Sequence, residues 1–226
     1  MPVYRCCPVQ VFVFSEKVNL SAIKPLQPRR KPKQERARLT QQAILDAFVR
    51  LLLEKGYAKL TIRDIASLAG VGLGTVYEHF PGKKAIAANC IHQRFKGVAL
   101  EAEAVIAAHA GAPVAGMIDA LLDLFVAMHC VKPEEWSALI FLERQVSDEA
   151  AWRALYEHFV DLWRRALLAS GVASGEAAYV VHAAVYGYLY QTLMCRPETV
   201  AGPLFRQQLG RLAHAAAKGQ NPAQTG

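Results

Sequence analysis

The stretch that decides the fold reads TIRDIASLAGVGLGTVYEHFPGKK and runs from Thr61 to Lys84. Its opening predicts the start of a helix, because Thr61 and Asp64 have the spacing of a capping box, in which each side chain binds the other residue's backbone N–H. Apolar residues follow at the i, i+3, i+4, i+7 spacing of one helix face, namely Ile62, Ile65, Ala66 and Ala69. The first half of the stretch is therefore predicted to be a short amphipathic helix.

A second short helix is predicted to begin two or three residues after a turn at Gly70. Val76 and Phe80 lie four residues apart on its inner side, and Pro81-Gly82 ends it. The residues that are left facing outwards are Leu73, Gly74, Thr75, Tyr77 and Glu78. Two short helices joined by a glycine-containing turn form a helix-turn-helix, whose second helix can enter the major groove of DNA.

Charge is distributed unevenly along the 226 residues. Residues 1–35 contain 7 basic and 2 acidic residues, residues 36–96 contain 10 and 4, and residues 97–226 contain 9 and 13. The net charges are therefore +5, +6 and −4, and the positive charge lies in the half that contains the helix-turn-helix. This asymmetry favours a polyanionic partner for the N-terminal half and a different role for the remainder.

The rest of the sequence predicts helices, with no strand-like alternation and no internal repeat. One helix is expected before Gly56, and another runs from Gly82 to about Ala110. Further helix-length segments are 114–130, 134–146, 149–169, 176–195 and 203–217. We expect an all-α protein with a disordered basic extension over 1–35, a three-helix helix-turn-helix domain over 36–84 and a second helical domain over 85–226.

Neither export nor a membrane span is expected. The apolar run at residues 9–14 is too short for a signal peptide, and the uncharged segment Ala177–Cys195 contains one histidine, one glutamine and four tyrosines. Such a helix is expected to be buried on both sides instead. The cysteines show no metal-binding spacing, so we expect reduced thiols in a cytoplasmic protein without a metal, with a redox sensor as the alternative. They are Cys6, Cys7, Cys90, Cys130 and Cys195.

The stretch from Ala43 to Lys83 resembles the DNA-binding domain of the TetR family of transcriptional regulators. The resemblance rests on ordered pieces: AILDAF at 43–48, EKGY at 54–57, TxRDIA at 61–66, AGV at 69–71, GTVY at 74–77 and HFxxK at 79–83. It implies a homodimer that binds a palindromic operator in double-stranded DNA. The family resemblance further implies a repressor that is released by a small-molecule effector and needs no cofactor.

The resemblance also implies which side chains contact DNA. Contacts with phosphates and nearby bases are expected at the start of the first of the two helices, contacts with base edges at the start of the second, and further phosphate contacts beyond them. These positions are Thr61 and Arg63, then Leu73, Gly74 and Thr75, and finally Tyr77, His79 and Lys83. Gly72 departs from the family, which commonly has Ser there, so the side-chain cap of the second helix is lost.

The second domain is rich in aromatic residues and methionine, which suits a cavity for a largely apolar or aromatic ligand. The side chains expected to line it are Phe125, His129, Trp136, Trp152, Tyr156 and Phe159, with an ordinary core as the alternative for each. The family usually dimerises through a four-helix bundle, here expected from the last two long helices of each protomer. The interface residues expected on this basis are Ala183, Ala184, Gly187 and Gln191.

Two other functions remain open at this stage. A nucleoid-type protein would bind DNA without sequence preference, and an enzyme would use the second domain for catalysis beside an incidental basic domain. The sequence contains no nucleophile elbow, phosphate-binding loop or metal-ligand spacing, so we expect no enzymatic activity.

Overall fold

The computed structural model describes residues 32–172 and 175–218, and every regular element in these two ranges is helical. The all-α class predicted from the sequence is confirmed. In chain order the helices are α1 Pro32–Lys59, α2 Ile62–Ala69, α3 Leu73–His79, α4 Lys83–Ala108, α5 Val114–Cys130, α6 Pro133–Val146, α7 Glu149–Ala169, α8 Ala177–Cys195 and α9 Pro203–Lys218. A short 3-10 turn, Pro197–Thr199, connects α8 to α9.

The bounds of α1 differ from the sequence prediction at both ends. Pro32 occupies the first helical position, where its fixed φ favours a helix, and Glu35 places a negative charge in the first turn. The expected boundary between residues 35 and 36 therefore falls inside α1, while residues 1–31 of the expected extension lie outside the described residues. Gly56 has φ 74° and ψ 161°, so α1 is kinked there and one further turn continues to Lys59.

α4 joins the helix-turn-helix to the rest of the protein. Its N-terminal part packs against α1, and its other contacts are with α5, α6 and α7. α1 also contacts α6, and the buried apolar side chains of all these helices form one continuous core. The three N-terminal helices therefore rest on the second helical domain, which compensates for the small core that three short helices can form alone.

α8 lies at the centre of the second domain and packs against α6, α7 and α9. One side of α8 is buried in the single chain, and Tyr179, Gly187 and Gln191 are exposed. Burial of the second side against a partner protomer stays a prediction. Among the described residues, no single helix is long and apolar enough to cross a membrane, although α5 and α6 meet that test jointly as a pair bent by 95°.

Candidate nucleic-acid interface and ligand cavity

The capping box predicted at the start of α2 is present. The Thr61 hydroxyl accepts a hydrogen bond from the Asp64 backbone N–H at 3.1 Å, and the Asp64 carboxylate accepts one from the Thr61 N–H at 2.9 Å. The side-chain bond from Thr61 is the main reason that the pKa of Asp64 is lowered, with a further contribution from Lys55. The start of α2 is thus fixed by local hydrogen bonds.

The turn between α2 and α3 also follows the sequence pattern. Gly70 adopts a left-handed conformation with φ 68°, and the Val71 N–H donates to the Ala66 oxygen at 3.0 Å. Val76 and Phe80 are buried beneath α3 as predicted. Because α3 is held from its inner side, its outer side is free to meet a partner.

The outer side of α3 contains most of the predicted DNA contacts. Leu73, Gly74 and Tyr77 are exposed, and Thr75 and His79 are half-buried. The Tyr77 side chain is 53% exposed, which is unusual for a large aromatic residue on a short helix without a partner. Gly72 is the N-cap of α3 and provides no side-chain hydrogen bond, as the departure from the family pattern implies.

The remaining three predicted contacts flank α3. Thr61 and Arg63 at the start of α2 are both exposed. Lys83, the first residue of α4, is half-buried, and its ammonium donates to the backbone oxygens of Tyr57 at 2.8 Å and Leu60 at 3.2 Å. It also lies 4.4 Å from the centroid of the Tyr57 ring. The ammonium of Lys83 is therefore already bound within the protein. The position of Lys83 in the sequence did not indicate this structural role.

A cavity of about 40 Å³ lies inside the second domain. Five of the six side chains expected to line a ligand cavity do line it: Phe125, His129, Trp152, Tyr156 and Phe159. Trp136 does not, because it packs behind His129 at a ring-centroid distance of 4.1 Å and donates its indole N–H to the Met128 oxygen at 3.1 Å. Whether the other five bind a ligand stays a prediction.

Several residues of the cavity wall were missed from the sequence. They are Phe95, Glu143, His182, Tyr186 and Tyr190, among others. Glu143 could have been found, because it occupies a core position of α6 at i+3 and i+7 from Ile140 and Trp136, where an apolar residue is expected. An acidic residue at a core position of a helix indicates a polar site within the core.

Three polar atoms in the cavity wall have no hydrogen-bond partner within the described part of the chain: His129 Nε2, Glu143 Oε1 and His182 Nε2. Their side chains belong to residues that are 1%, 3% and 4% exposed. Burial lowers the pKa of both histidines to about 4, so both rings are neutral near pH 7. Burial is also the main cause of the raised pKa of Glu143.

The predicted dimer-interface residues lie on α8 beside α9. Gly187 and Gln191 are exposed, whereas Ala183 and Ala184 are half-buried. The adjacent α9 exposes Leu204, at 61%, and Leu212. The two helices thus form one surface that contains exposed apolar side chains, and its role as an interface stays a prediction.

Comparison with known proteins agrees with this architecture. Residues 44–90 match the profile of the bacterial regulatory proteins of the tetR family. The chain is similar to the HTH-type transcriptional regulator CymR of Pseudomonas putida, with 41% identity over 58 residues, and to the HTH-type transcriptional regulator SAR0097 of Staphylococcus aureus (strain MRSA252), with 27% identity over 128 residues. These matches cover 26% and 56% of this chain, and 29% and 65% of the two relatives.

The fold is similar to that of SmeT, the repressor of the Stenotrophomonas maltophilia multidrug efflux pump SmeDEF. The structure of SmeT in complex with triclosan superimposes with a TM-score of 0.58 and 24% identity, covering 78% of this chain and 90% of SmeT. The capped α2, the left-handed turn at Gly70 and the outward-facing α3 are the structural form of the motif that the family profile matches. Residues 44–90 therefore have the sequence and the structure of the N-terminal domain of the tetR family of bacterial regulatory proteins.

Proposed function

We propose that the chain is a homodimeric, sequence-specific DNA-binding transcriptional regulator that represses from a palindromic operator and is released by a small molecule. The observation that carries this proposal is the helix-turn-helix in which Val76 and Phe80 anchor α3 while Leu73, Gly74 and Tyr77 face outwards. CymR and SAR0097, to which parts of this chain are similar, are described as HTH-type transcriptional regulators. The function involves no catalytic step.

The chemistry of the predicted contact residues suits two kinds of contact with the duplex, to base edges and to phosphates. Leu73 offers a methyl surface to thymine, Thr75 a hydroxyl or methyl group, and Arg63 a guanidinium that can bind guanine by two hydrogen bonds. Gly74 allows the backbone to approach the base edges. Tyr77, together with Thr61 and His79, is proposed to bind phosphate, which fixes the position of the protein without reading sequence.

The position of Lys83 in the family motif implies that its ammonium contacts a phosphate, but a different role is proposed. Its ammonium already has two backbone acceptors, so the phosphate contact at this position falls mainly to the free N–H groups at the start of α4. No side chain caps this helix start, where Gly82 is the N-cap. A phosphate there would serve as the missing cap.

Dimerisation is proposed through the surface of α8 and α9. Exposed apolar side chains on two adjacent helices are typical of an interface between subunits, and Gly187 allows the helix of a second copy to approach closely. A two-fold axis at this surface would present two copies of α3 to two half-sites of one duplex.

Ligand control is proposed through the cavity of the second domain. SmeT, a repressor of similar fold, forms a complex with triclosan. The cavity in this chain is formed by α4 to α8, and α4 leads directly to the helix-turn-helix. A ligand that moves α4 would change the separation of the two α3 helices and thereby weaken operator binding.

The proposal is tested by selecting tightly bound duplexes from a random pool with the full-length protein. We expect enrichment of an inverted repeat whose half-sites are centred roughly one helical turn apart, about 10 bp, or a multiple of that distance. Recovery of duplexes without a common motif would contradict sequence-specific binding and favour the nucleoid-type alternative.

A further inference from the structure

The polarity of the cavity indicates what kind of ligand it accepts. His129 Nδ1 lies 2.6 Å from the Phe125 backbone oxygen, and a carbonyl oxygen can only accept a hydrogen bond, so Nδ1 carries the ring proton. Since the ring is neutral, Nε2 has a lone pair and can only accept. His129 Nε2, which has no hydrogen-bond partner among the described residues, therefore requires a donor.

Glu143 provides a second buried polar atom, an oxygen, and is the acidic group of the cavity wall. Its Oε1 has no hydrogen-bond partner among the described residues, although the side chain is almost fully buried. Ser147 and the exposed Arg144 favour the ionised form, but burial outweighs both and raises the pKa of Glu143. A carboxylate held in this way is costly unless a positive charge or a donor is placed beside it.

Within the described part of the chain, the rest of the cavity wall provides no positively charged side chain to pair with Glu143. Among the described side chains that line the cavity there is no lysine and no arginine, and Glu143 is the acidic one. Arg94 is close by, but it pairs with Glu135 and covers the ring of Trp136 behind the wall. A ligand anion would therefore meet no cationic side chain in the described cavity wall, whereas a ligand cation would stabilise the ionised form of Glu143.

The aromatic rings around the cavity also favour a cation. Trp152 and Tyr156 stack with a centroid distance of 5.4 Å, and Tyr186 and Tyr190 lie 4.4 Å apart edge to face. All four line the cavity together with Glu143. The faces of such rings attract an organic cation, and their apolar surface suits an aromatic ligand.

From these contacts we propose that the effector is an apolar aromatic molecule with a protonated nitrogen, whose N–H groups bind the Glu143 carboxylate and His129 Nε2. The inference rests on the proposed function only in calling the ligand an effector. Binding itself follows from the cavity alone. His182 Nε2 provides a third polar atom for a ligand that has a second hydrogen-bonding group.

The cavity must enlarge to admit such a molecule. Its volume of about 40 Å³ holds a few water molecules, whereas sites for drug-sized ligands measure about 300–1,000 Å³. Trp152 and Tyr156 also line an outer groove of about 750 Å³ between α7 and α8. Displacement of these two rings would join the cavity to the groove, which gives the ligand both a path and the missing space.

A matched series of naphthalenes tests the proposal on the full-length protein by isothermal titration calorimetry without DNA. The probes are 2-naphthylmethylamine, which is a cation, 2-naphthalenemethanol, which is a neutral donor, and 2-naphthoate, which is an anion. We expect the amine to bind at least about tenfold more tightly than the alcohol, and the carboxylate to bind most weakly. A carboxylate that binds as well as the amine would overturn the proposal.

The variant Glu143→Gln keeps the shape of the side chain and removes its charge. It should weaken binding of the amine about tenfold or more and change binding of the alcohol less than about twofold. Glu101→Gln removes an exposed carboxylate from α4 and serves as the matched control, for which no change is expected. Unchanged amine affinity in Glu143→Gln would overturn the proposal; if this variant fails to fold, the ranking of the three probes still decides.

The amine is then added to a complex of the protein with a duplex recovered by selection. Binding of the amine without release of DNA would support the ligand class and contradict the proposed ligand control. Failure of the amine to bind, with sequence-specific DNA binding intact, would overturn the ligand class alone. The two proposals therefore fail in distinguishable ways.

Discussion

The ammonium of Lys83 donates a hydrogen bond to the backbone oxygen of Tyr57 at 2.8 Å, which ties the first residue of α4 to the last turn of α1. A second bond from the same ammonium reaches the Leu60 oxygen at 3.2 Å. These carbonyls lie where α1 ends and would otherwise need water. Lys83 thus connects the helix that leads from the cavity to the helix that supports the helix-turn-helix.

Substitution of Lys83 should therefore reduce stability. Lys83→Met removes both hydrogen bonds and the contact with the Tyr57 ring, and we expect the free energy of unfolding to fall by about 1–2 kcal/mol. Lys84→Met removes the same charge from an exposed neighbour and should change it by less than about 0.5 kcal/mol. Urea denaturation of both variants is the measurement, and equal effects would contradict the structural role of Lys83.

The side chains of Tyr77 and Thr75 should affect DNA binding in different ways. Tyr77→Phe removes one proposed phosphate contact, so affinity should fall about 3- to 10-fold for every duplex, with the fold unchanged. Thr75→Val removes a hydroxyl from the face proposed to read bases, so the order of preference among duplexes should change. Binding of a panel of duplexes to both variants tests this. A Tyr77→Phe variant with wild-type affinity would rule out the phosphate contact.

The surface of α8 should control the oligomeric state. Gly187 is exposed, and a Cβ atom placed there would meet nothing within 4 Å in the single chain. Gly187→Arg should therefore leave the protomer folded and convert the dimer to a monomer. Gly116→Arg on α5, where the added Cβ would also be unobstructed, should leave a dimer. Analytical ultracentrifugation distinguishes the two states, and a dimeric Gly187→Arg variant would place the interface elsewhere.

Acid should destabilise the protein through its two cavity histidines. Their pKa is lowered by burial from 6.5 to about 4 in the folded state, so as pH falls below 6.5 the unfolded state takes up protons that the folded state does not. The loss approaches about 3 kcal/mol per histidine by pH 4, and the raised pKa of Glu143 offsets part of it, because a protonated carboxyl is favoured in the folded state.

The measurement is the free energy of unfolding at pH 7, 6 and 5. His182→Gln should reduce the loss of stability by roughly half, since one of the two histidines is removed. His92→Gln changes an exposed histidine on α4 and should leave the loss unchanged. Stability that rises as pH falls from 7 to 5 would contradict the account of the cavity.

The sequence predicted the helix-turn-helix closely because its signals are local. The Thr61–Asp64 capping box, the left-handed glycine at Gly70 and the spacing of Val76 and Phe80 each depend on residues within a few positions of one another. The bounds of the helices from α5 to α9 followed from glycine and proline positions in the same way. The start of α1 was missed because a proline next to basic residues also suits a mobile segment.

The cavity could be predicted only in part, since it depends on how distant helices pack. The aromatic content of the second domain indicated Phe125, Trp152 and Phe159, which do share the cavity wall. The aromatic content could not show that Trp136 packs behind that wall, and it could not identify Glu143 as the acidic residue of the wall. The role of Lys83 was missed for the same reason, because its acceptors lie 23 and 26 residues away in the chain.

The most direct test of the central claim is fluorescence anisotropy of the full-length protein with the duplex upstream of its own gene and with a scrambled duplex of equal length and composition. At about 0.15 M salt, we expect the upstream duplex to bind at least about a thousandfold more tightly. Equal affinity for the two duplexes would contradict sequence-specific repression.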